Sequence, residues 1–344
     1  AYTDIDKPSD YFNTKLYTGN GGTQSITGLD FQPDWVWLKQ RNTTRSHWLF
    51  DSVRGATKRL HSEATSAEAT DTSTLTSFNS NGFSLGNSSG VNQSSGTYAS
   101  WNWKAGTSFT NDASGTGIGT IDSAGSVSTD AGFSITKFTA DGNNLTAAHG
   151  LGVAPTMIIT KNLSISKQWS VYHSSLGAGK AIFLNVTDVA DTDNTYWNNT
   201  APTSTTLSYG TWSGNNNGNE IIAYCFAEKK GYSKFGSYTG NGNADGTFVY
   251  TGQKSAFIMI KASSRVGTWN MYDVKRSTFN NVDDFITANT PDAETTGNTY
   301  QNIDILSNGF KCRGTGTGTN ESGSTYIYMA FAENPFVTST GVPA

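Results

Sequence analysis

The chain has 344 residues, of which 15% are charged and 12% aromatic, with 37 glycines and a formal net charge of −4. Such a charge-poor, slightly acidic chain gives no electrostatic basis for nucleic-acid binding. It has no run of about 18 uninterrupted apolar residues, so no transmembrane span is predicted. Short aromatic segments separated by Gly, Asn, Ser and Thr point to an all-β protein.

Residues 1–10 form a lead, AYTDIDKPSD, without the basic region and apolar stretch of a signal peptide. A first unit follows over residues 11–105. It opens with LYTGNG (Leu16–Gly21), a strand and an Asn-Gly turn that predicts a hairpin. Next come PDWVWLKQRN (Pro33–Asn42), an apolar run ending near Lys39, and the aromatic segment HWLFDSVRGA. HSEATSAEAT (His61–Thr70) is read as a short helical turn or a loop. The unit ends with SNGFSLG (Ser80–Gly86) and the alternating strand TYASWNWKA (Thr97–Ala105). Residues 106–131, rich in Gly, Ser, Thr and Asp, are read as an exposed linker with at most one short strand.

The same order recurs over 132–229, as KFTADG, APTMIITKNLS, QWSVYHSSLGA, TLSYG and EIIAYCFAE. After Lys230 and Gly231 it recurs over 232–334, as SYTGNG, SAFIMIKASS, TWNMYDVKRST, SNGFKCRG and TYIYMAFAE. Residues 335–344 form a tail. Lys39 and Lys161 lie 122 apart, as do Gly55 and Gly177; Lys161 and Lys261 lie 100 apart, as do Trp169 and Trp269. Constant offsets mark an internal repeat. His47 therefore stands where Trp169 and Trp269 stand, and Asp51 where His173 and Asp273 stand. The expected fold is three tandem antiparallel β-sandwich or jelly-roll-like units with little helix. In each closing strand one pair, Trp101 and Trp103, Tyr224 and Phe226, or Met329 and Phe331, shares a face that is expected to bury against a second sheet.

Catalytic and metal signatures are weak. Cys225 and Cys312 are expected to be buried free thiols, not a disulfide framework. His47, His61, His149 and His173 lack zinc-ligand spacing and are read as structural or surface residues. The conspicuous acids, Asp34, Asp51, Glu63, Glu68, Glu220, Glu228, Asp273, Glu294 and Glu333, form no paired-carboxylate strand motif. No nucleophile elbow is present. GTGIG (Gly115–Gly119) and GTGTG (Gly314–Gly318) lack the residues of a phosphate loop. The loop Asp188–Asn194 has oxygen ligands but not EF-hand spacing, and is read as solvated. No catalytic residue, cofactor or metal is expected. Tyr196, Trp197, Tyr209 and Trp212 lie in polar loops beside Asn and Thr, and are the candidate glycan contacts, with edge packing of the core as the competing reading.

YFNTKLYTGNGGTQSITGLDFQPDWVWLKQRN, HWLFDSVRGATKRL, GFSITKFTADG, HGLGVAPTMIITKN, SKFGSYTGNG and IYMAFAENPFVTSTGVPA resemble a repeat domain of virion structural proteins of marine tailed phages. The resemblance covers nearly the whole chain. It implies a non-catalytic protein of the virion surface: a tail fibre, head fibre or capsid-associated appendage. Its expected partners are other virion proteins, further copies of itself (a trimer favoured) and host surface glycans, with no membrane or nucleic-acid role. The alternative is a secreted carbohydrate-binding or glucan-degrading β-sandwich protein.

Overall fold

Alternation of apolar and small polar residues makes these segments strands, and a computed structural model of the chain describes residues 2–212 and 214–344. Strand accounts for 42% of the chain and helix for 3%, so the fold is all-β, built from multiple antiparallel sheets with sandwich character. Each unit has one large inner sheet. In unit 1 its order is Phe12–Thr18, Thr97–Trp103, Trp35–Gln40, Trp48–Asp51. In unit 2 it runs Phe133–Thr139, Glu220–Phe226, Met157–Asn162, Ser170–His173; in unit 3, Ser233–Thr239, Thr325–Pro335, Gln253–Ala262, Trp269–Asp273. The last strand of every unit thus sits between its opening strand and its lysine-bearing strand (Trp35–Gln40, Met157–Asn162 or Gln253–Ala262), buried on both faces.

A small outer sheet covers one face of each inner sheet: Gln24–Thr27, Gly82–Leu85 and Leu75–Asn79 in unit 1; Leu145–Ala148 with Thr206–Tyr209 in unit 2; Phe248–Tyr250, Gly309–Cys312 and Ile303–Leu306 in unit 3. Each sandwich has its own core, such as Val36, Leu38 and Phe50 against Ile26, Phe83 and Leu85.

The other face of each inner sheet is not covered by a sheet of its own unit. Trp101 and Trp103, Tyr224 and Phe226, and Met329 and Phe331 all enter one central cluster with Trp35, Trp37, Met157, Trp169, Phe257 and Trp269. The face expected to bury against a second sheet therefore buries against the other two units. Trp35 packs on Tyr224 with ring centroids 4.4 Å apart, and Phe12 on Phe331 at 5.2 Å. The three units form one body with an internal quasi-threefold arrangement around this shared core.

The seams between units repeat in the same cyclic sense. Lys167 N donates to Thr65 O at 2.9 Å, Gly267 N to Thr187 O at 2.8 Å, and Arg45 N to Pro291 O at 2.8 Å. Glu68 N donates to Leu163 O, Ala190 N to Ser263 O, and Glu294 N to Arg41 O. Unit 2 docks on unit 1, unit 3 on unit 2, and unit 1 on unit 3, which closes the ring.

Two local readings change. The Asn-Gly and Asp-Gly turns do not form hairpins: Phe12–Thr18 pairs with the inner Thr97–Trp103, whereas Gln24–Thr27 pairs with the outer Gly82–Leu85. The turn carries the chain from one sheet of the sandwich to the other. Residues 106–131, though largely exposed up to Asp122, are not a linker with at most one strand: Thr107–Asn111 and Ser123–Ser128 pair with each other and extend the inner sheet of unit 2. Of its two expected forms, His61–Thr70 takes the loop, ending in a two-residue strand; the helical segments among the described residues are Pro8–Asp10, Ser89–Asn92 and Ala113–Thr116.

A buried asparagine holds each sheet-to-sheet crossing. Asn92 Nδ2 donates to Asn20 Oδ1 (3.0 Å), Gly22 O (2.7 Å) and Gly86 O (3.0 Å). Asn215 Nδ2 donates to Asn143 O and Gly210 O, both near 2.6–2.7 Å. Asn320 Nδ2 donates to Asn241 Oδ1, Asn243 O and Gly314 O. Removing such an amide orphans one buried carbonyl (Gly86, Gly210 or Gly314), worth about 1–3 kcal/mol, and breaks further partly exposed bonds. Asn92→Ala and Asn320→Ala are each expected to lower unfolding free energy in urea by about 3 kcal/mol. A loss under about 0.5 kcal/mol, the range of an ordinary surface change, would contradict the role.

Candidate functional site

The residues with the most chemical potential lie in the seams. In unit 1, Asp51 pairs with Arg54, and Arg54 Nη1 reaches Glu68 at 3.3 Å. In unit 3, Asp273 pairs with Arg276, and Arg276 Nη1 reaches Glu294 at 2.9 Å. The equivalent positions of unit 2 are His173, Leu176 and Ala190. The neighbouring unit explains the difference. Tyr224 donates its hydroxyl to Asp51 Oδ2 at 2.6 Å, and Trp101 donates Nε1 to Asp273 Oδ2 at 3.0 Å. The third equivalent residue is Met329, which has no donor; it belongs to the unit that docks on unit 2. Where the incoming side chain carries N–H or O–H, a carboxylate receives it and an arginine neutralises the carboxylate. Where it does not, that ion set is replaced by His173, Leu176 and Ala190. Burial alone would lower the Arg54 guanidinium, but Asp51, Tyr224 and Glu68 together outweigh it and hold the group charged.

The repeat column His47, Trp169, Trp269 makes a second set of seam bonds. Trp169 Nε1 donates to His61 O and Trp269 Nε1 to Phe183 O, each at 2.9 Å. His47 Nε2 lies 3.0 Å from Thr287 O and 3.1 Å from Thr290 O, while its Nδ1 accepts from Trp37 Nε1. That pattern requires the neutral Nε2–H tautomer. His173 is held the same way, with Nδ1 accepting from Ser175 N and Nε2 facing Tyr328 O. His149 accepts at Nδ1 from Leu151 N and faces Thr203 O with Nε2. Burial pushes His47 down to about 3 and His173 down to about 4. All four histidines have structural partners, His61 included through His47 O.

The repeat lysines clamp the seams too. Lys161 Nζ donates to Thr65 O, Asn162 O and Lys167 O, and Lys261 Nζ to Thr187 O, Asp188 O and Ala262 O. Burial lowers Lys161 to about 7 and Lys261 to about 8. Three carbonyl acceptors match the three protons of an ammonium and oppose that shift. Lys39 donates to Gln40 O; burial lowers it to about 8 against the pull of Glu63, Asp292 and Glu294.

Of the four predicted glycan contacts, Trp197 and Tyr209 are fully buried in the core of the unit 2 sandwich. The exposure expected of them from their polar loops is not found. Trp197 Nε1 donates to Lys180 O at 3.0 Å, and Tyr209 packs on Phe138. Tyr196 and Trp212 are half-buried and pack on each other at 5.2 Å. The structure brings the four together as a cover on the unit 2 core, so they offer little free ring face. Cys225 and Cys312 are buried free thiols, and burial pushes both up to about 12. The nine acids do not gather at one point: Asp51 and Glu68 meet on Arg54 and Asp273 and Glu294 on Arg276, Asp34 accepts from Ser52 and Ala105 N, and Glu228, Glu220 and Glu333 pair with Lys234, Lys137 and Lys254. Among the described residues no three His, Cys, Asp or Glu group around a point that could hold a metal ion.

The aromatic residues that do reach solvent were missed by motif reading. Phe248, Tyr250, Phe279, Tyr300 and Phe336 are exposed, all in unit 3 or just after it, together with Tyr2. Phe248 and Tyr250 occupy the register positions of Ser25 and Thr27 in unit 1. Tyr2, Tyr250 and Phe336 line a cleft of about 260 Å³ with Glu228, Lys234 and Gly252. Ring faces beside an ammonium and a carboxylate suit a ligand with both apolar faces and hydroxyl groups.

Protonating His47 or His173 breaks a donated bond at Nδ1, and both have folded values below the unfolded 6.5. Their contribution is complete above about pH 6.5 and is lost as pH falls toward 4. Urea midpoints are expected to drop across that window, and the drop is expected to shrink in His173→Gln; an unchanged acid profile would contradict the assignment. Tyr224→Phe, which takes one donor from Asp51 and leaves it Arg54, is expected to cost about 1–3 kcal/mol. Met329→Leu is expected to cost less than about 1.5 kcal/mol.

No curated protein and no solved structure matches the chain. The DUF7483 family, described as a domain of unknown function, matches residues 7–335. Since that match takes in all three units, the chain belongs to the DUF7483 family.

Proposed function

We propose that the chain is a non-catalytic structural protein of a virion surface, in the manner of a tail fibre, head fibre or capsid-associated appendage, and that it contacts host surface glycans. The observation that carries this reading is where the chemistry sits. Asp51, Asp273, His47, His173, Lys161 and Lys261 hold neighbouring units together, while the exposed aromatic side chains collect in unit 3 and the two terminal segments. That division suits a scaffold with one contact surface. The resemblance of the repeat motifs to virion proteins supplies the setting, outside the cell on the particle.

The glycan contact is assigned to the cleft of Tyr2, Tyr250 and Phe336, in place of Tyr196, Trp197, Tyr209 and Trp212. Its partners are other virion proteins and further copies of the chain. A homotrimer, if formed, assembles through outer surfaces, because the apolar faces of the inner sheets are already used within one chain. The same cleft also suits a secreted carbohydrate-binding protein, so location separates the two readings. Antibody against the chain is expected to label intact particles in immunogold microscopy, and labelling confined to particle-free medium would favour the secreted protein. On a glycan array the chain is expected to bind a saccharide, and Tyr250→Ala or Phe336→Ala to weaken that binding about tenfold, which is about 1.4 kcal/mol. Equal binding by both variants would remove the cleft from the account.

A further inference from the structure

In unit 2 the outer side of the opening strand Phe133–Thr139 is covered by Ser123–Ser128, which in turn pairs with Thr107–Asn111. The equivalent strands of units 1 and 3, Phe12–Thr18 and Ser233–Thr239, pair with a closing strand on one side only. Bonds from Lys104 N to Tyr11 O and from Gly19 N to Gly96 O bracket the first of these. Antiparallel alternation then turns the N–H and C=O of Thr14 and Leu16 away from the closing strand. In unit 3, Ala332 N to Tyr232 O and Gly240 N to Ser324 O turn those of Phe235 and Ser237 outward in the same way. Among the described residues, no hydrogen bond engages the N–H groups of Thr14, Leu16, Phe235 or Ser237. Phe235 lies in the central core and Leu16 packs against it. These are ordered edges with unpaired main-chain groups, ready to template a strand.

We propose that these two edges are docking sites for an extended segment of another polypeptide, added as a further antiparallel strand with small, uncharged side chains. The chain itself displays the occupant: Ser123–Ser128, of sequence SAGSVS, fills the same place on the same framework. Gly125 of that strand faces Thr136, and a Cβ there would fall 1.9 Å from Ile135 O and 2.9 Å from the Phe109 ring. An added strand must therefore be nearly bare at its centre. The surroundings repeat as well. Val53 lines a groove with Ser123 and Thr139 beside the covered edge. Val274 and Lys275, which hold the repeat positions of Ser52 and Val53, line a groove with Asn13 and Thr14 beside the bare edge of unit 1. Strand addition of this kind takes its affinity from main-chain bonds and its selectivity from alternate side chains. The inference is independent of the virion reading.

The test adds a synthetic peptide of residues 106–129 to the full-length chain. Two peptides are expected to bind per chain, and the amides of Thr14, Leu16, Phe235 and Ser237 to exchange at least about tenfold more slowly when they do. Leu16→Pro and Ser237→Pro each remove an outward N–H, a change edge strands tolerate, and each is expected to abolish one site. Thr18→Pro and Thr239→Pro serve the same purpose if a mid-strand proline unfolds the chain. Absence of binding, absence of amide protection, or two sites retained in the double proline variant would overturn the proposal.

Discussion

Each closing strand has two apolar faces, and its own unit can cover only one of them. Everything else in the structure follows from that imbalance. The outer sheets shield one face of Thr97–Trp103, Glu220–Phe226 and Thr325–Pro335. The other face carries Trp101 and Trp103, Tyr224 and Phe226, or Met329 and Phe331, and only the matching faces of the other units can bury it. Truncating one such aromatic in a close-packed core costs about 3–5 kcal/mol. A unit cut free of its neighbours would expose several at once, which exceeds the stability of an ordinary domain.

Shared burial brings polar groups into the seams, and the repeat shows how they are handled. Tyr224 and Trp101 each bring a donor into a dry interface, and each meets an aspartate held by an arginine. Met329 brings none, and the aspartate, arginine and glutamate of that seam are absent together. Leaving one member of such a set behind would bury an unpaired charge at a cost of about 3–5 kcal/mol. The three seams are thus alternative solutions of one packing problem, written within a single chain. His47 and His173 belong to the same logic, since each is fixed as a neutral tautomer by a donor at Nδ1 and main-chain carbonyl oxygen of the neighbouring unit at Nε2.

Much of this was legible in the sequence, because strand alternation and repeat offsets are local signals. The all-β class, the closing strands and the buried thiols could be read directly. What covers a face could not, since an apolar stripe states that it is buried and not against what. The Asn-Gly turn is equally suited to a hairpin and to a crossing between sheets, and the deciding contact, Asn92 at Asn20 and Gly22, lies some 70 residues away. A usable signal existed: Asn92, Asn215 and Asn320 each precede a closing strand by five residues. Residues 106–131 read as a linker because Ser, Gly and Ala pair well only when a ready-made edge is present. Trp197 and Tyr209 misled because their neighbours are polar, although alternate side chains in such a segment point opposite ways. The exposed Tyr250 and Phe336 carry no motif and became visible only by comparing register positions between units.

Differential scanning calorimetry of the intact chain tests the shared core most directly. One core predicts a single cooperative transition, with the calorimetric enthalpy close to the van't Hoff enthalpy. Three resolved transitions, or a calorimetric enthalpy near three times the van't Hoff value, would mean that the units fold as independent sandwiches and would contradict the account.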